Sequence, residues 1–140
     1  MAKTGYEQKS SESVQKLIDD ILALGGIGYV ALNCGQEVLM RLSPGIESAT
    51  TSDSNFFEEL LVNPALLKLA SQRGELDCGG FEYVAVGYGE FMQLIMQIEN
   101  GHISLGISKE TTPGELVSRV NAVLKRHQKV WKAPENWLFD

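Results

Sequence analysis

The residue types that most often do chemistry are few in this chain and widely separated. Its two histidines are His102, at the start of an apolar run, and His127, near the charged end of a helical segment. Neither has a second histidine, an activated serine or an evident carboxylate partner nearby in sequence, as acid–base catalysis would require. The acidic pairs Glu58-Glu59 and Asp19-Asp20 fall on predicted helices, where we expect them on solvated faces. The sequence therefore predicts no catalytic residues, and surface or structural roles for both histidines.

The cysteines and the glycine-rich segment also lack a site pattern. Cys34 and Cys78 are 44 positions apart without a CxxC motif or a nearby histidine, so neither a metal site nor an activated nucleophile is indicated. A disulfide between them stays open. Residues 87–90 (Gly-Tyr-Gly-Glu) lack the spacing of a phosphate-binding loop, and a hairpin turn is the better interpretation. No cofactor is predicted.

Composition places the chain among ordinary globular proteins. Its 140 residues suit one domain, and a hydrophobic content of 44% can supply a core. The net charge of −6 argues against binding to nucleic acid or to an anionic membrane surface. No apolar run approaches the roughly 20 residues that span a bilayer, and the polar start does not resemble a signal peptide. We expect a cytoplasmic protein with a flexible segment at 1–10, a domain at 11–128 and a tail at 129–140.

The first part of the chain predicts a helix followed by two strands. Apolar residues with helical spacing begin after Ser11, and they are Val14, Leu17, Ile18, Ile21 and Leu22. Gly25-Gly26 ends this helix. Strands are expected at 27–32 and 38–42, with a turn at 33–36 between them and a loop at 43–52 after them.

A second helix is expected from Asp53 or Ser54 to about Arg73. Pro64 lies inside it, and since proline removes a backbone donor and restricts the residue before it, we expect a kink or two short helices there. Gly74 is a plausible stop.

The last part of the chain predicts a meander of three strands and a final helix. The strands are expected at 81–87, 91–98 and 102–108. Asn100-Gly101 predicts a tight hairpin, because both residues tolerate the positive φ of a type I′ turn. The final helix begins at Thr112-Pro113, with Glu115 completing a capping box. This order lacks a β-α-β unit with a phosphate loop, so the predicted fold class is α+β, with one five-stranded antiparallel sheet and helices on its faces.

The second helix is apolar on more than one side. Its apolar residues are Phe56, Phe57, Leu60, Leu61, Val62, Ala65, Leu66, Leu67, Leu69 and Ala70. A helix of this kind must bury a second face, either against another helix of the same chain or against a partner or second copy. The aromatic tail poses a similar choice. Trp131, Trp137 and Phe139 either fold back on their own domain, which is slightly favoured, or dock into a partner.

Several local patterns resemble the roadblock / dynein light chain family, seen also in bacterial regulators of Ras-like GTPases. The resemblance covers roughly residues 12–127. It rests on the opening helix that leads through Gly25-Gly26-Ile27 into the first strand and on the strand pair around 33–37. It rests also on the long middle helix, the Asn100-Gly101 hairpin and the final helix after Thr112. Departures are the Asn63-Pro64 pair, the long 44–52 loop and the tryptophan-rich tail.

The resemblance implies a fold, a mode of assembly and a function. The order α-β-β-α-β-β-β-α would place two helices on one face of the sheet and the middle helix on the other. Dimers would form through the strand at 81–87 and the middle helices, with interface residues Phe56, Phe57, Leu60, Leu61, Leu67, Phe81, Tyr83 and Ala85. The expected role is that of a non-enzymatic homodimer that binds and regulates a small Ras-like GTPase or a subunit of a signalling or motor complex.

Two alternatives come from other features. The small residues Ser104, Gly106 and Ser108 on one side of the last strand suggest a cavity for a small molecule. The aromatic tail suggests a structural subunit of a larger complex.

Overall fold

Antiparallel strands and the helices that cover them make up the described part of the chain. The structure is a computed structural model, and it describes residues 12–34, 37–43, 58–132 and 138. The elements are α1 (Glu12–Leu22), β1 (Ile27–Cys34), β2 (Glu37–Leu42), a π-helical turn (Glu58–Val62), α2 (Asn63–Asp77), β3 (Val84–Gly87), β4 (Met92–Ile98), β5 (Gly101–Ile107), α3 (Pro113–Arg126) and α4 (Gln128–Trp131). The π-helical turn and α2 together are the middle helix. The predicted order of elements is confirmed.

One sheet of five strands runs through the described residues in the order β2-β1-β5-β4-β3. All neighbouring strands are antiparallel, and Leu105 of β5 lies opposite both Val30 of β1 and Leu94 of β4. The predicted hairpin before β5 is present, but only Asn100 has a positive φ, at 67°. Gly101 is needed for another reason, since a Cβ there would collide with the carbonyl oxygen of Asn33.

The two faces of the sheet carry different helices and different side chains. Strand alternation places Val30, Leu94 and Leu105 on the face covered by α1 and α3. The main hydrophobic core lies there. Residues one position along, such as Asn33 and Gln93, point to the opposite face, where α2 packs on β3 and β4. The prediction of two helices on one face and one on the other is confirmed.

The middle helix differs from its predicted form in three respects. Its expected start at Asp53 or Ser54 lies outside the described residues. The irregularity expected at Pro64 takes the form of a change from π-helix to α-helix, with Pro64 at the second position of α2. Proline lacks the backbone donor that a regular helix would use there. The predicted end is wrong, because α2 continues past Gly74 to Asp77.

Gly74 is buried inside the helix and packs against the chain that leaves it. Its carbonyl accepts the N–H groups of Cys78 (3.3 Å) and Gly80 (3.0 Å). A Cβ at position 74 would lie 2.7 Å from the carbonyl oxygen of Gly80. Glycine is therefore required here for close packing rather than as a helix stop.

The remaining differences concern element ends. β3 begins at Val84 rather than at Phe81, and β1 continues to Cys34 through part of the predicted turn. Thr112 has the extended backbone of an N-cap, but its side chain makes no capping hydrogen bond, so the predicted capping box is wrong in that respect. Its carbonyl accepts the N–H of Leu116 at 3.1 Å.

The described part of the tail folds back on its own chain. Trp131 Nε1 donates to the carbonyl of Leu124 at 2.7 Å. Leu138 is completely buried and belongs to the main core. Trp137 and Phe139 lie outside the described residues. Among the described helices, none has the length and apolarity needed to cross a membrane.

Candidate interaction surface

A row of apolar side chains lies on the outer side of the middle helix. Leu61, Leu69 and Leu76 are 61%, 66% and 78% exposed. Ala65 is exposed between the first two, and the intervals of four and seven residues keep all four on one side of the helix. We call Leu61, Ala65, Leu69 and Leu76 the leucine stripe. Because Leu67 and Gly74 on the opposite side are buried, the stripe faces away from the sheet.

The stripe is flanked by charges that do not cover it. Arg73 Nη1 donates to Asp77 Oδ1 one turn further along the helix. Lys68 and Glu75 are exposed on the other flank. An apolar strip with charged borders is typical of surfaces that bind other proteins.

The second exposed feature is the outer edge of β3. Among the described residues, no strand pairs with this edge. Ala85, paired with Leu94 of β4, is exposed. The adjoining turn is fixed by Lys109 Nζ, which donates to the carbonyls of Tyr88 (2.8 Å) and Gly89 (3.4 Å). An unpaired edge of this kind offers backbone groups to another strand.

The predicted interface residues do not form a single exposed patch. Leu61 and Ala85 are exposed, and the half-buried members are Leu60, Phe81 and Tyr83. Leu67 is only 4% exposed, so its side chain already serves the packing of its own chain. Phe56 and Phe57 lie outside the described residues. For the accessible members, the interface role stays a prediction.

Beneath the middle helix lies a layer of buried polar groups, which we call the polar layer. Its members are Asn33, Glu59, Asn63, Gln93, His102 and Ser104, each at most 4% exposed. They come from β1, β4, β5 and the start of the middle helix. The start of the helix that carries the leucine stripe therefore rests on polar contacts.

Glu59 is the centre of the polar layer. Its Oε1 lies 2.9 Å from Nε2 of His102, and its Oε2 accepts from Nδ2 of Asn63 at 2.9 Å. Its main-chain carbonyl accepts from Nδ2 of Asn33 at 3.4 Å. The π-helical turn is thus tied to β5, β1 and α2 at once.

Gln93 connects the rest of the polar layer. Its Nε2 donates to Ser104 Oγ at 2.9 Å and lies 3.4 Å from Asn63 Oδ1. Its Oε1 is buried and has no hydrogen-bond partner among the described residues. An unpaired buried acceptor is costly, which makes this layer less stabilising than an apolar one would be.

One expectation about these residues is wrong, because Glu59 is buried rather than on a solvated face. His102 has the structural role that was expected of it, and its carboxylate partner is 43 positions away in sequence. His127 likewise contacts Asp20, with Nε2 2.8 Å from Oδ2. The available sequence signal was the period-two recurrence of polar residues in central strands, His102 and Ser104 among them.

Within the described ranges, the space beside Gly106 and Ser104, where a small-molecule cavity was predicted, is filled by side chains. Tyr29 lies opposite Gly106 in the β1–β5 register, and its ring occupies the space where a Cβ of residue 106 would stand. Ser104 is fully buried in the polar layer. The small residues of β5 thus accommodate an aromatic ring rather than a ligand.

Negative charge and low solvent access coincide near the start of the middle helix. Burial raises the pKa of the Glu58 carboxyl, and the charge of Glu59 acts in the same direction. Burial also raises the pKa of the Tyr88 phenol, whose hydroxyl donates to Glu58 Oε1 at 3.3 Å. The pKa of Tyr29 is raised by burial and, secondarily, by Glu59.

The contact between Glu59 and His102 holds the start of the middle helix on β5. The side chains of His102 and Glu59 are 4% and 2% exposed, so a substrate has no access to them in this conformation. Within the described ranges, no group of three or more histidine, cysteine or acidic side chains is placed to hold a metal. Cys34 is buried, Cys78 is exposed, and both are free, so no disulfide joins them.

Solved structures with the same architecture are roadblock/LC7 domains. A Roadblock/LC7 domain from Streptomyces avermitilis matches with a TM-score of 0.60 and 13% identity, over 84% of this chain and 97% of that one. The gliding protein MglB from Thermus thermophilus matches at 0.62 and 14% identity, over 84% and 90%. An MglB with a tetrameric arrangement matches at 0.68 and 11% identity, over 89% and 94%.

No protein-family model and no curated protein matches the sequence. The chain is an α+β protein with the roadblock/LC7 fold, as the sequence patterns predicted.

Proposed function

We propose that this protein is a non-enzymatic, dimeric interaction module that binds and regulates a small Ras-like GTPase or a related signalling partner. The leucine stripe carries the proposal, because three leucines more than 60% exposed on one helix face favour contact with another protein. The resemblance to the roadblock family supplies the partner class. Two structural neighbours are MglB proteins, one a gliding protein and the other with a tetrameric arrangement.

The two exposed features suggest a division of labour. Since α2 packs on β3 and β4, a second copy joined through the β3 edge would bring the two middle helices side by side. Their stripes face away from the sheet and would together form one apolar platform. In this arrangement the edge serves the dimer and the stripe serves the partner.

The dimer is tested by placing a charge on the edge strand. Ala85→Lys adds a charge at the exposed strand edge without disturbing the main core, and we expect light scattering to show a monomer where the wild type is a dimer at micromolar concentration. A wild-type monomer under these conditions contradicts the dimer.

Partner binding is tested with purified Ras-like GTPases of the source organism, loaded with GDP or with a GTP analogue. Leu61→Asp should weaken binding at least about tenfold, since an unpaired charge at a desolvated contact is costly. Asn121→Asp, which adds the same charge on the exposed side of α3, is the control. If no GTPase binds, or if both variants bind alike, the proposal that the leucine stripe binds a GTPase is contradicted. A stripe variant that also dissociates the dimer would assign the stripe to dimerisation.

A further inference from the structure

The middle helix stands apart from the main hydrophobic core. That core is built from α1, α3, the strands and Leu138, and no side chain of the described part of the middle helix belongs to it. The inward side of the helix presents Glu59, Asn63, Leu67 and Gly74, of which only Leu67 is a buried hydrophobic residue. The start of the helix is therefore held on the sheet by hydrogen bonds, while Leu67 faces a side of the sheet whose buried apolar residues lie outside the main core; these are Ala31, Val38 and Ile95.

Hydrogen bonds hold the start of the helix on the sheet less strongly than apolar contacts over the same area would. A buried hydrogen bond replaces a hydrogen bond to water, so its net contribution is small, whereas burial of an apolar side chain has no such offset. In the described part of the chain, Oε1 of Gln93 accepts no hydrogen bond, which weakens the docking of the helix further. The outward side adds nothing to docking, since the leucine stripe is in solvent.

We infer that the middle helix opens as a separate unit, because it can undock from the sheet while the main core stays folded. The contact between Glu59 and His102 holds the helix closed, and we call this contact the latch. The inference deepens the proposed function, because the same helix carries the leucine stripe. Opening would change how Leu61 is presented and would separate α2 from β3. A partner that binds only the docked helix would then shift the equilibrium towards closure.

Glu59 is the central residue of the latch, because each of its polar groups makes a hydrogen bond with a different helix or strand. One carboxylate oxygen contacts His102 of β5, the other Asn63 of α2, and the carbonyl contacts Asn33 of β1. The neighbouring Glu58 differs, since its hydrogen-bond partners are Tyr88 at the exposed β3–β4 turn and Gln93 of β4, so it does not tie the helix to β1 and β5 as Glu59 does. Removing one member of a buried pair leaves the other without compensation, so the latch is sensitive to single substitutions.

Amide hydrogen exchange of the full chain without any partner tests the inference. In the wild type, amides of residues 62–77 should exchange at least about tenfold faster than the slowest amides of α1, α3 and β5. Glu59→Gln and His102→Asn should each accelerate exchange in the middle helix about tenfold further and leave the core amides unchanged. Glu58→Gln is the matched control, and we expect less than about threefold change.

Two outcomes overturn the inference. One is that the middle helix exchanges together with the core amides in the wild type, which marks a single cooperative unit. The other is that Glu59→Gln and Glu58→Gln act alike. If His102→Asn fails to fold, the exchange rates of the wild type and of Glu59→Gln are enough to decide whether the helix opens separately. The measurement needs no GTPase, so failure of partner binding leaves it intact, and protection that grows with protein concentration reports on the proposed dimer instead.

Discussion

A single side chain, that of Asp20, links α1 to the end of α3 through hydrogen bonds. Its Oδ1 accepts from Lys16 Nζ at 2.9 Å, and its Oδ2 lies 2.8 Å from Nε2 of His127. The hydrogen bond with His127, followed by that with Lys16, lowers the pKa of Asp20 below its ordinary value. The carboxylate is 21% exposed, so solvent screens part of this interaction.

The lowered pKa of Asp20 predicts how stability depends on pH. A carboxyl group whose pKa falls on folding stabilises the fold above its unfolded pKa and loses that contribution as pH falls through its folded pKa. Asp20→Asn should therefore reduce the free energy of unfolding at pH 5 to 7, and its difference from the wild type should begin to shrink as pH falls to about 4, the unfolded pKa, and vanish only below the folded pKa. Urea denaturation across this range measures it. The neighbouring Asp19→Asn is the control, and a difference that persists unchanged into acid contradicts the assignment.

At the scale of elements, regular patterns were predictable and contacts between distant segments were not. The spacing of Val14, Leu17 and Ile18 predicted α1, because an amphipathic helix repeats its own period. The middle helix was misjudged where tertiary contacts decide its form. Gly74 continues the helix because the chain at Gly80 packs against it, and that proximity has no local sequence signal.

The polar layer was beyond prediction for the same reason. Glu59 and His102 each looked unpartnered, since 43 residues separate them and only the fold brings them together. The exposed side of the middle helix was better predicted, because an excess of apolar residues is visible without knowing the fold. Its occupant still depends on a second molecule.

Gly74 provides a test at this scale, because its substitution should reverse the usual sign. Replacing glycine by alanine inside a helix ordinarily stabilises it by about 0.8–1 kcal/mol. Gly74→Ala should instead destabilise the protein by about 1–3 kcal/mol, since the new methyl group would press on the backbone of Gly80. Gly114→Ala in the first turn of α3 is the control, because its Cβ would meet only the Tyr83 hydroxyl at 3.7 Å. Thermal and urea denaturation of both variants decide, and equal effects would contradict the packing role.

The whole molecule is asymmetric across its sheet. One face carries α1 and α3 on a continuous apolar core, and the other carries a helix on the polar layer with leucines turned outward. The face with the main core provides most of the stability. The face with the middle helix provides the proposed binding surface and the proposed opening of that helix. β3 lies at the end of the sheet and contributes no buried residue to the main core, so assembly through its edge would leave that core undisturbed.

The described part of the tail packs with the main core, and a substitution at Leu138 tests this placement. Leu138 is fully buried in the main core, so Leu138→Ala should lower the free energy of unfolding by about 2–5 kcal/mol through lost burial and a cavity. Leu76→Ala removes the same atoms from a side chain that is 78% exposed, and it should change stability by less than about 0.5 kcal/mol. Urea denaturation of the two variants gives the comparison. If both are near neutral, the tail is released in solution and free to dock into a partner, as the structural-subunit alternative requires. A large loss confined to Leu138→Ala makes the tail part of the scaffold and leaves the middle helix and the β3 edge as the surfaces for assembly.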